Sequence, residues 1–153
     1  MDSSTALISE YVESFQSEEF SVQDTAGLYG LHRTECRSWL SATERKIRKL
    51  GELMRGWDSY GANPIDIRSI KMALQFVGDL ARVSKISEPA ISATPSGHVA
   101  LIWSWESGTR ELEIKVLSTG ELQFCLSDDV DPKNDRQGST RLPEQIVTML
   151  TMR

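Results

Sequence analysis

The chemistry this chain could perform rests on two histidines, two cysteines and a few groups of acids. His32 and Cys36 stand four apart, so one helical face could carry both, with His98 and Cys125 far along the chain. Metal binding needs three or four such ligands together, and no zinc knuckle supplies them. His98 and Cys125 could act as a nucleophile pair only if the fold brought them into contact. Asp128, Asp129, Asp131, Asn134 and Asp135 offer oxygen ligands for calcium, but they lack the central Gly and terminal Glu of an EF-hand loop. They read as a solvated acidic turn. Glu111 and Glu113, two apart on an expected strand, project from one face as a carboxylate pair would, and with Lys115 beside them they read as the polar side of a sheet. Phosphate loop, dinucleotide fingerprint and nucleophile elbow are missing from the sequence. The expectation is a protein without a catalytic residue, metal or cofactor.

A chain of 153 residues with 39% hydrophobic and 25% charged residues fits one globular domain with a core of its own. The longest apolar runs, such as Val99 to Trp103, fall far short of the roughly 20 residues that cross a bilayer. Residues 1–31 contain no Lys or Arg and no continuous apolar run, so a secretory signal is not indicated. Two unpaired-looking cysteines then point to free thiols in a reducing cytoplasm, with a crossing Cys36–Cys125 disulfide as the alternative. The net charge of -5 is unevenly spread. Residues 1–31 hold six acids and no base, whereas residues 32–55 hold seven bases and three acids. Blocks of opposite sign imply either mutual neutralisation or two electrostatic footprints.

Leu7, Ile8, Tyr11, Val12 and Phe15 recur at helical spacing after Ser3, Ser4 and Thr5, which predicts a short acidic amphipathic helix. Residues 16–34 show no sustained period and read as a linker, so the expected division is an acidic arm over 1–37 and one α+β domain over 38–153. From Trp39 to Trp57 the set Leu40, Thr43, Ile47, Leu50, Met54 and Trp57 predicts a packed helix face, with Ser41 or Thr43 as cap and Gly56 as stop. A second helix is expected from Asp66 to Val83, burying Ile67, Ile70, Ala73, Leu74, Val77, Leu80 and Ala81. After Ser84 the period changes to two. Strands are expected at 90–94, 98–106, 111–117 and around Leu122, Phe124 and Leu126, followed by a polar loop over 128–138 and a terminal helix opened by Pro143. The predicted fold is α+β: a helix hairpin packed on one face of a four-stranded antiparallel meander, with an N-terminal helical arm and a C-terminal helix.

Between the two helices lies Gly56-Trp57-Asp58-Ser59-Tyr60-Gly61-Ala62, followed by Pro64-Ile65. Trp57 reads as an apolar anchor and Asp58 as an acceptor for nearby amides in an Asx-turn. The loop either locks the hairpin to the sheet or presents Trp57, Asp58 and Tyr60 to a partner. Together with Pro89, Thr94-Pro95-Ser96-Gly97 and Trp103, it resembles a family of small bacterial proteins marked by a G-W-D-S-Y-G-A loop followed by a T-P-x-G hairpin. The resemblance covers about residues 45 to 126. That family carries no assigned activity, so the resemblance implies no catalytic residue.

These observations predict a cytoplasmic, non-enzymatic interaction module. Its amphipathic arm would dock on a protein partner or a sister subunit through Leu7, Ile8, Tyr11, Val12 and Phe15, because an apolar stripe on a loose linker must be buried somewhere. Two alternatives stand beside this. Arg45, Arg48, Lys49 and Arg55 could follow the phosphates of a nucleic acid, or Trp57, Asp58 and Tyr60 could belong to an enzyme of unrecognised type.

Overall fold

A computed structural model describes residues 29–83 and 85–152, with side chains described from residue 39. The expected amphipathic helix and its stripe of Leu7, Ile8, Tyr11, Val12 and Phe15 lie outside the described residues, as do the side chains of His32 and Cys36.

Helix α1 spans Tyr29–Leu50, so it includes the end of the stretch expected to be a linker and crosses the expected arm boundary at residue 37. It stops before Gly56, the expected terminator. Its last carbonyls, those of Arg48, Lys49 and Leu50, accept the amides of Gly51, Glu52 and Leu53 at 3.0, 3.1 and 3.2 Å, a tightened turn that ends the helix. Arg48 and Lys49 in its last turn suit the negative end of the helix dipole. Thr43 and Ile47 are fully buried, with Trp39, Leu40 and Leu50 half-buried beside them, whereas Met54 is 79% exposed. Thr43, expected as a cap, is an interior helix residue.

Helix α2 spans Ile67–Leu80, and the Asp66 carboxylate caps it by accepting the Arg68 amide at 2.8 Å. Ser69, Ile70, Ala73, Phe76, Val77 and Leu80 are buried. This stripe is rotated from the expected one: Ile67 is 60% exposed and Leu74 half-buried, while Phe76 and the polar Ser69 face inward.

Five strands form one antiparallel sheet in the order β1-β2-β3-β4-β5, comprising Ala90–Ala93, Val99–Trp105, Arg110–Val116, Leu122–Asp128 and Arg136–Thr140. The expected count of four is corrected to five, since Arg136–Thr140 overlaps the end of the expected polar loop over 128–138 and runs two residues past it. This strand lacks alternating apolar residues and is fixed by backbone pairing with β4, Leu122 opposite Thr140 and Phe124 opposite Gly138. Helix α3, Pro143–Thr151, begins with proline as expected and buries Ile146 and Leu150.

The helices cover one sheet face. Val99, Leu101 and Trp103 of β2, Leu112, Ile114 and Val116 of β3, and Leu122 and Leu126 of β4 turn inward to join Ile47, Phe76, Val77 and Ile146 in the core. The Trp103 indole donates to the Ser87 carbonyl at 2.9 Å, which satisfies its one polar atom. The opposite face carries Ser104, Glu111, Glu113, Lys115, Gln123 and Cys125. The fold is therefore α+β with an antiparallel sheet, and no helix among the described residues is long and apolar enough to cross a membrane.

Candidate functional site

The segment between α1 and α2 folds into a ring. The Gly56 amide donates to the Ala62 carbonyl at 2.8 Å, and the Ser59 amide to the Gly56 carbonyl at 2.9 Å. Asp58 sits inside the ring, where Oδ1 accepts the amides of Tyr60 and Ala62, each at 2.9 Å. The Trp57 indole donates to the Asn63 carbonyl at 3.1 Å. Beyond the ring, the chain is fastened to the turn between β1 and β2, with the Asn63 amide on the Pro95 carbonyl at 2.9 Å and the Asp66 amide on the Gly97 carbonyl at 2.8 Å. Ala62 and Ile65 are buried beneath it.

The three residues singled out in this loop thus occupy different environments. Trp57 and Asp58 are turned onto the loop's own backbone, while Tyr60 is 92% exposed. Two further apolar side chains near it in sequence, Met54 and Ile67, are exposed as well. Sequence periodicity had assigned both to buried faces, so their exposure was not legible.

The amides of Ala62 and Tyr60 hold the Asp58 carboxyl below its ordinary value, against a smaller opposing effect of desolvation. A carboxyl lowered in the folded state contributes stability that is present above its unfolded value and lost as pH falls through its folded value. Urea titrations of the wild type and Asp58→Asn at a series of pH values are expected to show a shallower acid loss of stability in the variant. The slope persists in part because Asp128 is lowered in the same direction.

Asp128 explains the acidic loop. Its Oδ1 accepts the amides of Val130 and Asp131, both at 3.0 Å, and its Oδ2 accepts the Asn134 side-chain amide at 2.9 Å. Asp135 accepts the Asp128 amide at 2.8 Å and Asp131 the Lys133 amide at 3.2 Å. These carboxylates organise the β4–β5 connection, and no group of three or more His, Cys, Asp or Glu able to hold a metal occurs among the described residues.

His98 and Cys125 are not brought together. His98 Nδ1 lies 3.1 Å from Ser96 Oγ in the β1–β2 turn. Cys125, a free and exposed thiol, stands on the outer face of β4 opposite Glu113 and Gln137. The register places them two strands apart and about four residues out of step, a separation of well over about 10 Å at the usual strand spacing and rise. On that outer face Glu113 lies 3.7 Å from Lys115, and Glu111 accepts the Ser104 hydroxyl at 3.2 Å. Of the basic residues, Arg45, Arg48 and Lys49 are exposed on α1, with Arg48 3.8 Å from Glu44, whereas Arg55 lies beyond the helix end.

Fold and loop together define an α+β protein with helices, an antiparallel sheet and a braced aromatic loop. No protein-family model matches the chain, and neither a curated protein nor a solved structure matches it.

Proposed function

We propose that this protein is a non-enzymatic interaction module that docks on a protein partner or a second copy of itself through the 56–62 loop, with Tyr60 as the principal contact. The observation that carries this reading is the contrast within the loop: Trp57 and Asp58 are engaged internally, and the one remaining aromatic is 92% exposed. A braced loop loses little freedom when it binds, and tyrosine contributes a large apolar area with a polar tip, as residues that dominate interfaces commonly do. Trp57 and Asp58 then support binding indirectly by fixing the loop. The apolar stripe of Leu7, Ile8, Tyr11, Val12 and Phe15 is a second point of attachment, where an amphipathic helix would lay its apolar side on the partner or sister subunit. A nucleic-acid role for the basic residues of α1 has less support, because Arg48 is ion-paired with Glu44 and Arg55 is off the helix.

Tyr60→Ala and the double variant Tyr11→Asp/Phe15→Asp test the two contacts. Sedimentation velocity reports self-association, and affinity capture from the native host with mass spectrometry reports partners. Tyr60→Ala is expected to change stability by no more than about 0.5 kcal/mol, as an exposed substitution should, while removing an association that the wild type shows. Retention by both variants of the wild-type oligomeric state and of every captured partner defeats the reading.

A further inference from the structure

A cleft of about 230 Å³ opens where the turn after β2 meets α3, at the end of the sheet away from the 56–62 loop. Trp105, Met149, Leu150 and Met152 form its apolar walls, and Arg110 and Glu106 supply opposite charges. Trp105 and Arg110 are cross-strand partners at the ends of β2 and β3 that flank their connecting turn. They alternate in step with Trp103 and Leu112, so both rise from the helix-covered face.

Arg110 is the unusual group. Its Nε is buried without a hydrogen-bond partner, and its guanidinium joins no ion pair among the described residues. The obvious counter-ion is Asp128, its partner in register on β4. That carboxylate feels the Arg110 charge, but it makes no direct contact with the guanidinium and gives its oxygens to the amides of Val130 and Asp131 and to Asn134. A partly buried guanidinium with an unpaired donor is costly, and a carboxylate is the acceptor that best matches its planar fork. At the rim, Glu106 and Ser107 hold φ of 53° and 61°, consecutive left-handed conformations in non-glycine residues that persist only where the surroundings enforce them.

We infer that this cleft binds a free α-amino acid with a large apolar side chain. The ligand's carboxylate meets the Arg110 guanidinium, its ammonium group meets the Glu106 carboxylate, and its side chain lies against Trp105 and the flexible, polarizable methionines. The size agrees, since sites for drug-sized ligands run from about 300 to 1,000 Å³ and this cleft is smaller. The inference is independent of the Tyr60 loop.

The chain's methionines provide the readout. In the full-length protein carrying 13C-methyl methionine, Met149 and Met152 line the cleft, while Met54 and Met72 lie outside it and serve as internal references. Titration with L-phenylalanine is expected to shift the Met149 and Met152 methyl signals saturably and leave Met54 and Met72 in place. L-phenylalaninamide, which lacks the carboxylate, and 3-phenylpropionate, which lacks the ammonium group, are each expected to bind about tenfold more weakly or worse, as loss of a charge-assisted contact implies. Arg110→Gln should weaken L-phenylalanine by a similar factor. Because Arg110 is partly buried, the exposed Glu106→Gln gives a second measure that does not depend on tolerance in the fold: it should weaken L-phenylalanine and leave 3-phenylpropionate unchanged. Unmoved Met149 and Met152 signals, equal affinity for either truncated compound, or undiminished L-phenylalanine binding in Glu106→Gln each overturn the inference.

Discussion

Gly97→Ala is expected to destabilise the protein by about 2–4 kcal/mol, a large share of the stability of an ordinary domain. Two separate costs combine at this position. Gly97 has φ of 92°, a conformation that side chains with a Cβ adopt only under strain. An added Cβ would also meet the Pro64 carbonyl oxygen at 2.7 Å. That oxygen belongs to backbone, so relief requires the 63–66 segment to retreat from the β1–β2 turn. The retreat stretches the bonds from Asn63 to Pro95 and from Asp66 to Gly97, through which the loop is fastened to the sheet. Gly108→Ala isolates the first cost, because Gly108 has a similar φ of 87° and nothing within 4 Å of the added carbon. Urea denaturation should therefore give a loss for Gly97→Ala exceeding that for Gly108→Ala by about 1 kcal/mol or more. Equal losses would mean that the contact with Pro64 is soft and the loop is not braced there. Since Tyr60 is carried by that loop, Gly97→Ala should also weaken any association that depends on Tyr60, whereas Gly108→Ala should not.

How much of this was legible depends on whether a residue's role is set by its own side chain or by distant backbone. Strands β1 to β4 announce themselves through alternation, clearest in β3, where Leu112, Ile114 and Val116 are buried in the core and Glu111, Glu113 and Lys115 between them are not. Strand β5 carries no such pattern. Arg136, Gln137, Gly138 and Ser139 are all exposed, and the strand exists because β4 offers unpaired backbone groups at its edge. Helix α1 was expected to reach Gly56, since Met54 and Trp57 continue the apolar spacing. The actual stop at Leu50 is a matter of carbonyl bonding, to which side-chain periodicity is blind. Within the loop, the Asx-turn at Asp58 follows from residue type alone. The exposure of Tyr60 does not, because Trp57 and Tyr60 are both aromatic, and only the bond from Trp57 to the Asn63 carbonyl distinguishes them. The cleft was missed for a related reason: Arg110 falls just before the expected 111–117 strand with nothing in the sequence to mark it, and its lack of a direct carboxylate partner becomes visible only once Asp128 is seen to hold backbone amides and Asn134.

Ser69 is the polar residue in the α2 stripe that periodicity passed over, and its replacement carries the other large expected effect. Its hydroxyl accepts the Val99 amide at 2.9 Å and donates to the Val116 carbonyl. Val99 and Val116 are register partners at the end of the β2–β3 ladder, so a single helix side chain links a donor on one strand to an acceptor on the next. All three residues are fully buried, which leaves water no access to either backbone group. Ser69→Ala therefore strands a buried donor and a buried acceptor together, at about 1–3 kcal/mol for each group left unsatisfied. Partial closure of the two strands onto each other limits the total to about 2–4 kcal/mol. Ser69→Thr keeps the hydroxyl and adds only a methyl group, so it should recover part of the loss unless the methyl overpacks the site. Amide exchange distinguishes this account from a simple packing defect. The Val99 amide should exchange much faster in Ser69→Ala, while those of Leu101 and Leu112, farther along the same strands, slow or quicken only with global stability. If the Val99 amide stays as protected as its neighbours and stability falls by less than about 1 kcal/mol, the hydroxyl is not what fastens α2 to the sheet. The position of the Tyr60 loop, which begins the chain's path into α2, would then have to be held by the β1–β2 turn alone.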